Sequence, residues 1–148
     1  MKPVNASADP RNVFDAVPFM RLLGVQREYS RGGHARLVLD PQPELGNVIG
    51  TVHGGVLVTL LDVAMASAAV SRVDFSRTAV TLNLDTSFLE PGRGRLTADG
   101  EVIGQDGNVA MCRATVTDAQ GRRVAQGLGS FRYLPLPGPL SPLQETCP

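Results

Sequence analysis

Apolar residues follow two different rhythms along this chain. Between residues 54 and 70 they run almost unbroken, and the polar side chains after His53 are Thr59, Asp62, Ser67 and Ser71. That run predicts a helix over residues 53–71, and a helix that is apolar nearly all round is buried on most sides. The rhythm then changes to a period of two. Residues 78–90 set Val80, Leu82, Leu84 and Phe88 against Thr81, Asn83, Asp85 and Ser87, the alternation of a strand with one face on a core. Residues 95–103, 109–118 and 123–134 predict three more strands, joined by turns at Gln105-Asp106-Gly107-Asn108 and Ala119-Gln120-Gly121. One face of the last strand is small, with Ala125, Gly127 and Gly129, which permits a neighbouring backbone to come close.

Ahead of the long helix the pattern is weaker. Phe14, Val17, Phe19, Met20, Leu22 and Leu23 suit a short helix over residues 14–23, limited by Pro18. Residues 25–30 and 35–40 predict two strands about the turn Arg31-Gly32-Gly33-His34, and residues 41–52 a loop rich in turn formers. Residues 1–13 are expected to form a flexible leader, and residues 135–148, punctuated by Pro135, Pro137, Pro139, Pro142 and Pro148, a flexible tail. A single domain over residues 14–134 remains. Its order of elements predicts an α+β architecture, an antiparallel sheet of about six strands wrapped around a long central helix.

Composition removes several function classes. Fourteen basic residues balance 14 acidic ones, so no basic excess points to nucleic acid. The chain has no Trp and 5% aromatic residues, a poor supply of base-stacking surfaces. Cys112 lies within a strand and Cys147 beside the C-terminus. No disulfide between them is expected, and reduced cysteines fit a cytoplasmic setting. The apolar run is short for a bilayer and carries Asp62 at its middle, which argues against a membrane span. No Cys/His cluster has zinc spacing, so no metal is expected. Met20, Met65 and Met111 are read as core residues, and His34 as a turn residue.

The candidate chemistry sits where the helix begins. His53-Gly54-Gly55 opens it, and a helix N-terminus offers unpaired N–H groups with partial positive charge. Gly54 lets a substrate carbonyl approach those groups. Asp62 is a lone carboxylate on an oily helix, costly to bury without a task or partner. An oxyanion donor and an isolated acid are parts of acyl-transfer chemistry. Eight residues separate Gly54 from Asp62, about 12 Å along the axis at about 1.5 Å per residue. One carbonyl must lie roughly 3 Å from both groups. A single helix cannot meet that condition, so a homodimer with its active site at the subunit interface is inferred.

The stretch around this helix start resembles the hotdog-fold acyl-CoA thioesterases. Within them it is similar to the PaaI-like enzymes of phenylacetate degradation, allied to the 4-hydroxybenzoyl-CoA thioesterase of the Arthrobacter type. The resemblance covers residues 14–133 and rests on Asn47, Gly50, His53, Gly54, Gly55 and Asp62, with Thr81 ten residues ahead of Pro91. It implies a sheet wrapped around the helix, dimers with a continuous sheet, and often tetramers. It also implies thioester hydrolysis, with coenzyme A entering only as part of the substrate and no separate cofactor. On that resemblance Gly54 N–H would polarise the carbonyl, and Asp62 of the partner subunit would be nucleophile or general base. Asn47 and His53 would orient the loop and the thioester, Thr81 would hold water or Asp62, and Gly55 would border the substrate. Two positions depart from the pattern. A Gly-Arg step that can contact coenzyme A phosphates is here Gly107-Asn108, and the position one turn after the acid, Thr in the Arthrobacter-type enzyme, is Ala66. Arg93 and Arg95 are alternative phosphate contacts. Phe14, Phe19, Met20 and Leu23 are candidates for the acyl end, which would suit an aromatic or medium-chain acyl group. Two other functions stay open at this point: a hotdog hydratase or dehydratase, and a non-catalytic acyl-CoA-binding module.

Overall fold

The computed structural model describes residues 10–138. Residues 1–9 of the expected leader and 139–148 of the expected tail, with Cys147, lie outside the described residues. A 3-10 helix, Pro10–Ala16, begins inside the segment assigned to the leader and runs into α1 (Pro18–Leu23). The 14–23 stretch is thus two short helices, because Pro18 starts a new one at its first position. Strands β1 (Gln26–Arg31) and β2 (His34–Leu39) follow, then a loop with a 3-10 turn at Pro43–Leu45, then α2 (Gly54–Arg72). β3 (Arg77–Phe88), β4 (Leu96–Asp106), β5 (Val109–Thr117) and β6 (Arg123–Pro135) complete the chain. All neighbouring strands are antiparallel, in the order β1-β2-β4-β5-β6-β3. The sheet wraps around α2, which is the hotdog arrangement.

Small side chains let the sheet close down on the helix. Leu57, Leu60, Leu61, Ala64, Met65, Ala68 and Ala69 of α2 are buried. Gly100 of β4 lies against the backbone of Ala64, and any Cβ there would run into the Ala64 carbonyl. Gly127 and Gly129 of β6 lie beneath Leu61 and Met65, so the small face expected on that strand is turned to the helix. By length and composition α2 could cross a bilayer, but 56% of its apolar window is buried within the protein. It is a core helix.

One expectation fails in β3. Thr81 pairs with Phe131 and Asn83 with Ser130, so Leu82 is an extra residue, a bulge. The freed Ser130 N–H donates to Asn83 Oδ1 at 2.9 Å. A one-residue bulge reverses the faces of everything on one side of it. Leu84, Thr86 and Phe88 face the helix with Gly129, Gly127 and Ala125, yet so do Thr81 and Ala79, opposite Phe131 and Tyr133. Val80 and Leu82 do not share the core face with Leu84; they stand 42% and 47% exposed. Met111 is a second correction. It lies on the outer face of β5, opposite Ser130, and is exposed rather than core.

The strand order puts β3 at an edge, so one side of this long strand has no neighbour within the protomer.

Candidate active site

The start of α2 is held by local hydrogen bonds. Asn47 closes the preceding loop: its Oδ1 accepts from Ile49 N–H at 3.1 Å and Thr51 N–H at 3.0 Å, and its Nδ2 donates to Thr51 Oγ1 at 2.8 Å. His53 is the N-cap. Its backbone is extended, at φ −61° and ψ 138°, and its Nδ1 accepts from Gly55 N–H at 2.9 Å. Its carbonyl accepts from Val56 N–H at 2.9 Å. The Gly55 amide is therefore committed to the cap and does not face outward as a donor. Gly54 N–H is the first-turn amide that has no acceptor among the described residues. Beside it lies the Phe88 ring, about to touch: a Cβ on Gly54 would sit 3.2 Å from Phe88 Cε1. Nothing in the sequence brings Phe88 to this place, because it arrives on a strand thirty-odd residues downstream.

Asp62 lies two turns further along α2, on a half-buried stripe shared with Thr59, Ala66 and Val70. Thr81 Oγ1 donates to its Oδ1 at 2.6 Å. The bulge makes this contact possible, since without it Thr81 would point to the other face. Asp62 Oδ2 has no protein partner among the described residues, so one carboxylate oxygen is fixed and the other open. The small Ala66 leaves space one turn below.

Within one protomer these two groupings stay apart. Gly54 with Phe88 marks the C-terminal end of β3, and Asp62 with Thr81 lies further back within the same strand. Along β3 the separation from Thr81 to Phe88 is seven residues, roughly 23 Å at about 3.3 Å per residue.

The remaining candidates scatter. Arg95 is spent on Asp40 in a two-pronged ion pair, with Nε–Oδ1 2.9 Å and Nη2–Oδ2 2.8 Å. The hydrogen bond from Arg95 holds the Asp40 carboxyl below its ordinary range and, in return, raises the guanidinium. Arg93 donates to the Gly50 carbonyl at 3.3 Å, bracing the loop before α2. Gly107 takes φ 56° at the tip of the β4–β5 hairpin, a turn position. Asn108 accepts from Arg77 Nη1 at 2.9 Å through Oδ1. His34 stands in the β1–β2 hairpin, 3.9 Å from Glu101. Phe14, Met20 and Leu23 are core residues near β1, the sheet edge opposite β3. Phe14 and Met20 border a cavity of about 290 Å³ with Asp15, Arg21 and Gly24, so within the protomer they do not line the surface around Asp62. The Cys112 thiol is pushed up to about 12 by burial and is inert.

Comparisons with known proteins identify a family. The family described as the thioesterase superfamily matches residues 49–125. A protein of Halobacterium salinarum that carries a provisional esterase name is 32% identical over 139 residues, covering 86% of this chain and 92% of that protein. Among solved structures, a thioesterase family protein from Silicibacter pomeroyi aligns with a TM-score of 0.79 and 25% identity over 86% of this chain and 96% of that one. The PaaI protein of the E. coli phenylacetic acid degradation operon aligns with a TM-score of 0.76 and 24% identity over 85% of this chain and 89% of that one, a likeness of fold.

Proposed function

The chain belongs to the thioesterase superfamily, and from that membership we propose that it hydrolyses acyl-coenzyme A thioesters at a site shared between two subunits. The observation that carries this reading is the pairing of an open Gly54 N–H with a Thr81-held Asp62 that the same helix keeps too far away. Edge strand β3 supplies a way to unite them. Two copies of an unpaired edge can pair antiparallel about a two-fold axis. With that axis near Leu84 and Asp85, Thr81 of one subunit comes opposite Phe88 of the partner subunit. Asp62 then stands beside the α2 N-terminus of the other chain. The same pairing covers Val80, Leu82 and Phe88, which are 42%, 47% and 58% exposed in the protomer.

In such a site the thioester oxygen takes a hydrogen bond from Gly54 N–H, and the α2 dipole stabilises the charge that develops there. Asp62 either attacks the carbonyl carbon through Oδ2 or takes the proton of an attacking water. Thr81 fixes Oδ1 and so aims the other oxygen. With Asp62 as nucleophile, the C–S bond breaks to an Asp62–acyl anhydride that water then hydrolyses; with Asp62 as base, the attacking water displaces the thiolate directly. Either way one water is consumed, one of its protons goes to the leaving thiol, and a carboxylic acid remains. An acyl group entering here lies on the Phe88 ring, which suits aromatic or medium-chain acyl groups.

The hydratase reading has less to work with. It needs a histidine near the acid, while His53 Nδ1 is engaged in the helix cap and His34 lies in a distant hairpin. Thiol release from a panel of acyl-CoAs, with enoyl-CoA hydration followed in parallel, tests the choice. The expected result is thiol release that Asp62→Asn lowers by about 10³-fold with the fold intact. Hydration without thiol release, or near-normal turnover in Asp62→Asn, would overturn the reading.

A further inference from the structure

Arg77 has the setting of an anion receptor. It is the first residue of β3 and lies on the same face of the strand as Ala79 and Thr81. Its guanidinium stacks over the Tyr133 ring at 4.5 Å and donates from Nη1 to Asn108 Oδ1 at 2.9 Å. Tyr133 is itself fixed, with its hydroxyl donating to the Ala69 carbonyl at 2.6 Å. No ion pair among the described residues joins Arg77 to a carboxylate. By contrast Arg36, Arg95, Arg113 and Arg122 each have an acidic partner. An arginine clamped by a neutral amide and an aromatic face keeps its charge uncompensated and its remaining N–H groups aimed, which is the arrangement that binds phosphate or carboxylate oxygens. Arg72, at the end of α2, lies close enough to act electrostatically on the same phenol.

The position relative to Asp62 gives this cation a use. Arg77 stands four residues before Thr81 on β3, about 13 Å away at about 3.3 Å per residue. Between them Ala79 on the strand and Ala66 on the helix are small and partly exposed. We propose that Arg77, set by Asn108 and Tyr133, anchors an anionic group of the thioester substrate remote from the scissile carbonyl, at a distance on the order of that strand spacing of roughly 13 Å. The inference rests on the hydrolase reading for the identity of the ligand, but the anchor is a binding site in its own right. Two parts of such a substrate carry oxyanions at a distance of this order. One is the diphosphate at the far end of the pantetheine arm; the other is a carboxylate at the far end of the acyl chain.

Binding in the uncleaving Asp62→Asn protein distinguishes them. The ligands are hexanoyl-CoA, hexanoyl-pantetheine and adipoyl-pantetheine, measured by calorimetry with Arg77 intact, as Arg77→Gln and as Arg77→Lys. Arg77→Gln is expected to weaken one anionic ligand by about tenfold or more, the scale of a charged hydrogen bond, and to leave neutral hexanoyl-pantetheine unchanged. Loss on hexanoyl-CoA assigns the diphosphate; loss on adipoyl-pantetheine assigns the acyl carboxylate. Arg77→Lys should recover part of the affinity. Unchanged affinity of Arg77→Gln for all three ligands, equal weakening of all three, or no binding to the parent protein would overturn the proposal. Selective weakening in a protein that cleaves no thioester would keep the anchor and reject the hydrolase reading.

Discussion

Replacing Thr81 by Val removes one hydroxyl and keeps the shape of the side chain. In the structure that hydroxyl donates to Asp62 Oδ1 at 2.6 Å, a short bond to a carboxylate. Such charge-assisted bonds contribute about 1.5–3 kcal/mol. If that energy holds the carboxylate in its reactive orientation, its loss appears in the barrier, and about 1.4 kcal/mol is tenfold in rate. Thr81→Val should therefore lower kcat about 10- to 150-fold. KM should change little, because the hydroxyl touches the acid rather than the thioester. Thr81 is exposed in the protomer, so the melting temperature should move only slightly. Thr81→Ser, which keeps the donor, should restore most of the rate. The assay is steady-state thiol release with a thiol-reactive dye, alongside thermal melting of each variant. A Thr81→Val protein that keeps more than half of the normal kcat would refute the claim that this bond aims Asp62.

His53→Ala removes the acceptor for Gly55 N–H and should cost about 1 kcal/mol of stability, read as a lower midpoint in denaturant titration. Gly100→Ala drives a Cβ into the Ala64 carbonyl, where the backbone of α2 has no room to move; a loss of about 1–3 kcal/mol or more is expected, and an unchanged melting temperature would contradict the packing described. Asp118 is buried, which by itself raises its carboxyl, but bonds from the Arg122 side chain and from the Arg122 and Gln120 N–H groups outweigh that and hold it below its ordinary value. A depressed carboxyl stabilises the fold above its unfolded value of about 4 and loses that contribution as pH falls through the folded value. Asp118→Asn should therefore flatten the fall of melting temperature below about pH 4, and a wild-type acid limb in that variant would count against it.

Much of this molecule can be read from residue order. The unbroken apolar run is α2, and the period-two stretches are strands, because a helix buried on most sides and a half-buried sheet leave different traces in sequence. The turn residues at 105–108 and 119–121 mark the hairpins for the same local reason. What escaped depends on register. Alternation in β3 looks regular in sequence, yet Leu82 bulges out and turns Thr81 toward Asp62. A bulge of this kind is set by pairing with β6, nearly fifty residues away, not by local composition. The Arg95–Asp40 pair and the Arg77–Asn108 contact also join segments remote in sequence. Arg95 was legible as a charge near a turn but not as a charge already neutralised. The meeting of Phe88 with Gly54 follows from the path of an edge strand around the helix, for which the sequence carries no local signal. His53 is a local case: its N-cap bond joins residues two apart, but histidine is not among the residues favoured at that position, so the sequence pointed to the loop and the thioester instead.

Subunit complementation tests the shared site most directly. Gly54→Pro removes the N–H under test while keeping the helix, since proline is tolerated at a first helical position and the extended His53 backbone before it is compatible. The exposed Phe88 ring, 3.2 Å from the new Cβ, can swing aside. Gly54→Pro and Asp62→Asn proteins should each be inactive alone. Mixed in equal amounts and allowed to exchange, hybrid dimers contain one intact site, so about a quarter of wild-type activity should return by two-fold symmetry. No recovery, with hybrids demonstrated by mass spectrometry, would mean that Gly54 and Asp62 do not meet across the interface.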